Sequence, residues 1–169
     1  MEIAQEVNKL LLNHQTLPIP VDNVVADCGL KMISYDLGDN ISGVLIIENG
    51  QATIGFNKNE SRVRNRFSVA HELGHYILHK DGSDLFVDKQ FRVMYRGTNT
   101  DGVNYTHERE ANEFAACLLM PDNLVREEIA SLELDYTDED IIKILAKKFD
   151  VSTVAMSIRL SNLGFFKDH

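Results

Sequence analysis

The chain has 169 residues, which suits one compact domain or a domain with a small appendage. Its 44% hydrophobic and 25% charged content is that of a soluble globular protein with a core of useful size, not of a disordered or low-complexity chain. Lys and Arg total 17 against 26 Asp and Glu, a formal charge of -9 that repels nucleic-acid phosphate. No run of basic residues offsets it.

Residues 2–14 place Ile3, Ala4, Val7, Leu10 and Leu11 at helical spacing, which predicts an amphipathic helix. Glu2, Gln5, Glu6, Asn8 and Lys9 lie among them, so the segment reads as neither a signal peptide nor a membrane span. Cys28 and Cys117 form no CxxC pair and read as small buried hydrophobes in a reducing compartment. The expected location is therefore cytoplasmic. After Pro18 and Pro20, a short helix from about Asp22 ends at Gly29, followed by a strand from Lys31 to Tyr35. Gly43–Ile47 and Gln51–Phe56 are two further strands joined by Asn49-Gly50, the dipeptide favoured for a type I′ hairpin. An exposed edge of such a hairpin could hold an extended peptide through main-chain hydrogen bonds.

A helix from about Glu60 to His79 follows, with Asn57, Asn59 and Ser61 as alternative caps. Val63, Phe67, Ala70, Gly74 and Ile77 form its expected buried stripe. It contains His71-Glu72-Leu73-Gly74-His75, an HExxH motif. Side chains four apart share one helix face, so both imidazoles can reach a single Zn²⁺ at about 2.0–2.1 Å. Glu72 can then face the open position of the metal as general base. Gly74 costs a helix about 1 kcal/mol relative to Ala, which calls for a packing or access reason.

Residues 80–106 are less regular, and Arg96–Thr106 reads as an exposed loop. A catalytic zinc usually takes three protein ligands, so a third must come from elsewhere. His79 rotates away from the shared face and reads as a surface or supporting histidine. The next helix opens at His107 with Thr106 as cap, and Ala111, Phe114, Ala115, Leu118 and Leu119 form a clean apolar stripe. On a wheel of 100° per residue, Glu108 lies about 50° from the stripe centre, Glu110 about 110°, and Glu113 nearly opposite. A carboxylate at the margin of a buried stripe is costly unless paired or bound to metal. Glu108 is the third ligand by this argument, with Glu110 in reserve. Asn112, one turn on, can orient a ligand. Tyr105 and His107 are candidates for stabilising an oxyanion, on position alone.

The stretches RNRFSVAHELGHYILH and EREANEFAACLLMP, with Ile41-Ser42-Gly43 and LAKKFDVSTVAMSIRL, resemble the ImmA/IrrE family of zinc metallopeptidases. The resemblance implies a gluzincin-like site of two HExxH histidines, a downstream glutamate matching Glu108, and Glu72 as general base. It also implies cleavage of a specific partner protein, often a helix-turn-helix repressor encoded nearby. Two other functions stand beside it: a zinc-bound module that binds a regulator without cutting it, and a DNA-binding regulator.

Beyond Pro121, Asp122 starts a helix through Leu132, Thr137 to Asp140 start another with Ile141, Leu145 and Phe149 on one face, and Ser152 caps a last one carrying Val154, Ala155, Ile158 and Leu160. Residues 138–160 thus resemble a DNA-reading helix-turn-helix, but the second helix has only Arg159 as a cation. The expected fold is α+β and zincin-like. A small, mainly antiparallel sheet with an edge hairpin packs on the HExxH helix within residues 1–125, and a helix-turn-helix-like segment, 126–169, packs on that core.

Overall fold

The computed structural model describes residues 3–80, 85–89, 102–132 and 136–165, with the side chains of 85–89 and 102–104 left aside. The fold is α+β, as expected. Helices α1 (Ile3–Leu10) and α2 (Val21–Asp27) precede strands β1 (Lys31–Tyr35), β2 (Ile41–Glu48) and β3 (Gln51–Asn57). Helix α3 (Arg62–His79), strand β4 (Leu85–Lys89) and helix α4 (Gly102–Leu119) follow, and α5 (Asp122–Ala130), α6 (Asp138–Phe149) and α7 (Thr153–Asn162) complete the described chain.

Asn49 and Gly50 both have positive φ, 51° and 76°, as a type I′ turn requires. The turn joins β2 to β3 with Glu48 opposite Gln51. The hairpin is not at an edge, however. The sheet order is β1-β3-β2-β4, so both hairpin strands are interior. Strand β1 adds to β3 in parallel and β4 adds to β2 in antiparallel fashion. Strand β4 thus occupies the β2 edge on which an extended peptide was expected to pair, and it lies in a stretch whose sequence showed no regular period.

Ser61 caps α3, its hydroxyl accepting from the Arg64 amide at 3.3 Å. Unlike the stripe read from the sequence, every residue from Ser68 to His75 is buried, while Val63, Phe67 and Ile77 are only partly so. The reason is placement: α3 packs against the sheet through β2 and β3 and against α4 on its other side. The α4 stripe does match, with Ala111, Phe114, Ala115, Leu118 and Leu119 fully buried. Helix α4 begins at Gly102, so the expected loop over 96–106 is helical in its last residues, and 96–101 fall outside the described chain. Cys117 is buried and Cys28 partly so, and burial raises both thiols above their ordinary pKa.

Phe149, Met156 and Leu160 bring α6 and α7 into the same apolar cluster as α1, α3 and α4. On α7, Met156, Arg159 and Leu160 turn inward, whereas Val154 and Ile158 stay 68% and 57% exposed. Among the described residues no helix is long and apolar enough to cross a membrane.

Arg66 ties the start of α3 to two distant segments. Its Nη2 donates to the Ile19 carbonyl at 2.9 Å, and its Nε donates to the Asp150 carbonyl at 3.1 Å and lies 3.2 Å from the Asp150 carboxylate. Replacing Arg66 by Ala strips partners from backbone acceptors around a buried junction, a loss of about 1–3 kcal/mol. The urea midpoint should fall accordingly. Arg66→Lys should not restore it, because a single ammonium cannot span both carbonyls as the planar guanidinium does.

Candidate metal centre

Helices α3 and α4 can cross closely because α3 has no side chain at Gly74. A Cβ there would sit 3.1 Å from Phe114 Cδ1 and 3.2 Å from both Phe114 Cβ and the Ala111 Cα. Two of these three contacts belong to a side chain and one to backbone that cannot rotate away. The glycine inside HExxH therefore has a packing reason, and the contact brings the N-terminal half of α4 over the histidines.

His71 and His75 lie one turn apart and are 2% and 1% exposed. Their Nε2 atoms are 3.0 Å apart. Glu108 lies across the α3–α4 contact with Oε2 3.2 Å from His71 Nε2 and Oε1 3.1 Å from His75 Nε2. The structure thus brings together the three residues singled out as ligands, with donor atoms all within 4.8 Å of one another. Two donors held at about 2.0–2.1 Å from one tetrahedral ion stand about 3.3 Å apart, so these separations need to open by only a few tenths of an ångström.

The donor chemistry fits a cation as well. His71 Nδ1 lies 3.0 Å from the Asn112 side-chain oxygen, which can only accept, so Nδ1 carries the proton. In the neutral ring this leaves the Nε2 lone pair facing a carboxylate oxygen, a repulsive contact unless a cation or a second proton stands between them. Burial alone would raise the Glu108 carboxyl. When the rings carry the second proton, hydrogen bonds from His71 and His75, together with their charges, outweigh that effect and hold it at about 2. Glu108 is therefore ionised at neutral pH.

Glu72 is fully buried beside this trio. Its carboxylate lies against β2 at Gly43, where a Cβ would come within 3.1 Å of Oε1 and 3.2 Å of Cγ. The β2–β4 pairing has a register shift between Ile41 and Gly43, so the strand bends beside the HExxH glutamate. Gly43 was not singled out as a site residue. A glycine inside a strand pattern is a recognised sign of close backbone approach, but it does not say what approaches.

Glu110, the reserve, faces elsewhere. Its Oε2 is 3.4 Å from His79 Nε2, and the His79 ring stacks on His107 with centroids 3.9 Å apart. The His79 side chain is only 6% exposed, so it supports the centre from within and is not a surface residue. Burial, with His107 and His75 nearby, lowers its pKa. His107 is turned into this stack. Tyr105, 65% exposed, instead lines a groove of about 980 Å³ together with Glu108 and Asn112.

Comparison with known proteins gives this geometry its context. Residues 26–161 match the IrrE N-terminal-like domain, a metallopeptidase family. The chain belongs to this family. It is 27% identical to Metallopeptidase ImmA of Bacillus subtilis (strain 168), an alignment covering 98% of this chain and 88% of that relative. Among solved structures, a Mycobacterium tuberculosis transcriptional regulator superposes with a TM-score of 0.64 at 16% identity, over 94% of this chain. The chain spans 46% of that longer protein, and the likeness is one of fold. A metallopeptidase family implies a divalent metal and a protein substrate, and the His/His/Glu cluster is a site where such an ion fits.

Gly74→Ala tests the helix contact on which the cluster rests. Alanine gains about 1 kcal/mol of helix propensity, but overpacking against Phe114 and the Ala111 backbone costs about 1–3 kcal/mol. The melting temperature should fall. A rise would contradict the packing account.

Proposed function

We propose that this chain is a zinc-dependent endopeptidase that cuts a specific protein in the cytoplasm, with a nearby-encoded helix-turn-helix repressor as the foremost substrate. The observation that carries the reading is the convergence of His71, His75 and Glu108 beside a buried Glu72. His71, His75 and Glu108 hold the ion, and when bound it supplies Lewis-acid polarisation of the scissile carbonyl and of the attacking water. Glu72 takes the proton from that water as it adds to the carbonyl carbon, and delivers it to the amine as the C–N bond breaks. The strand at Gly43 restrains the Glu72 carboxylate, which limits its motion between the two positions. Asn112 fixes the His71 tautomer so that Nε2 presents a lone pair. Tyr105, beside Glu108 in the groove, is the better placed of the two oxyanion candidates, since His107 is engaged with His79.

A module that binds zinc and a regulator without cutting it would have no use for a fully buried carboxylate next to the ligands, so Glu72 favours hydrolysis. The DNA-binding alternative through residues 138–160 has little support. Arg159, the cation of α7, is 9% exposed and donates to the Met120 carbonyl at 2.9 Å, while Val154 and Ile158 face outward. Phosphate contacts would need the reverse.

In the zinc-loaded protein, Glu72→Gln should retain stoichiometric metal and lose cleavage of the neighbouring repressor by about a thousandfold or more, consistent with loss of a proton-transfer group and the water it orients. Glu108→Ala should lose both metal and activity. Metal analysis in which Glu110→Ala empties the site and Glu108→Ala does not would overturn the ligand set.

Asn112→Ala should weaken zinc about 10–100-fold without unfolding the chain, because His71 loses the partner that sets its tautomer. Competition with a chromophoric chelator measures this, and an unchanged affinity would remove Asn112 from the centre.

A further inference from the structure

The groove of about 980 Å³ runs between the first half of α3, the outer face of α4 and the outer face of α7. Its apolar lining comes from Val63 and Phe67 on α3, Ala116 on α4, and Val154, Ala155 and Ile158 on α7. Neither histidine nor Glu72 lines it, and it reaches the candidate metal centre through Glu108 and Asn112. It is thus continuous with the centre but lies to one side of it, where a chain threaded past the metal would place the residues flanking the scissile bond.

One further feature bears on the occupant. Val154 and Ile158, one turn apart on α7, are among the most exposed large apolar side chains of the described residues. The core does not need them inward, since Met156 and Leu160 already fill α7's inner face. An exposed apolar trough that opens onto the candidate metal centre accepts an apolar segment of a chain held at that centre.

We infer that α7 is the outer wall of the substrate groove, and that Val154 and Ile158 select an apolar segment of the protein substrate next to its cleavage point. The inference rests on the peptidase reading for its occupant. It gives the last helix of the helix-turn-helix-like pair a role in recognising protein, not nucleic acid.

The test uses binding, so that it does not depend on turnover. The full-length zinc-loaded Glu72→Gln protein is panned against a phage-displayed library of random peptides, and the recovered sequences are synthesised. Enrichment of sequences that carry neighbouring apolar residues is expected. Ile158→Lys and Val154→Lys, both at exposed positions, should each weaken those peptides by about tenfold or more, with metal content and melting temperature unchanged. Wild-type protein is then incubated with the same peptides. If they are cut but bind both lysine variants as tightly as Glu72→Gln itself, the groove assignment falls and the peptidase reading stands. If binding depends on positions 154 and 158 but nothing is cut, the groove stands and the peptidase reading falls. No enrichment, or a dimer in sedimentation that Ile158→Lys dissociates, would also overturn the inference, the latter by making this face a contact between copies.

Discussion

Helix α3 meets α4 at a point where one helix offers only a hydrogen atom, and the approach is close enough that a methyl group at Gly74 would press on backbone as well as on Phe114. Interaxial distance depends on the side chains at the crossing. A carboxylate has a short reach, so the distance between these two helices decides whether Glu108 can touch two imidazoles on the neighbouring one. At the observed spacing it touches both, at 3.2 and 3.1 Å. The apolar stripe of α4 locks that spacing from beneath, since Ala111, Phe114 and Ala115 are fully buried on the same contact.

Polar side chains are gathered here in a region that is otherwise apolar, and burying such groups is favourable only when each has a partner of opposite character. Glu108 answers the two histidines, Asn112 answers the far nitrogen of His71, and His79 answers Glu110 from within its stack on His107. Helix α3 supplies three of these groups because it is enclosed on two sides. One side faces α4, and the other faces β2, where Gly43 makes room for Glu72. The sheet therefore positions Glu72 and α4 positions Glu108, on either side of a single helix.

That enclosure also explains where periodicity was informative. Helix α4 has one buried face and one open face, so a simple wheel ranked Glu108, Glu110 and Glu113 in the order the structure shows. Helix α3 has two buried faces, and a single-stripe reading missed the continuous burial from Ser68 to His75. On α7 helical spacing grouped Val154, Ala155, Ile158 and Leu160 without saying which turn inward; Leu160, with Met156, completes the core, and Val154 and Ile158 are left facing the groove. Two apolar stripes on one short helix cannot be ranked without knowing what lies opposite each.

The sequence by itself determined the local chemistry: the HExxH pair, the hairpin turn at Asn49-Gly50, the amphipathic α4, and the family whose pattern spans residues 26–161. These depend on residues a few positions apart, where spacing and side-chain type settle the geometry. Only the tertiary structure decided that the hairpin is central and β4 covers its edge, that Gly43 lies against Glu72, and that the last helix turns apolar side chains toward a groove. Each of those outcomes depends on which distant segment packs alongside, and that is a matter of volume and complementary surface across the whole core, which no local period encodes.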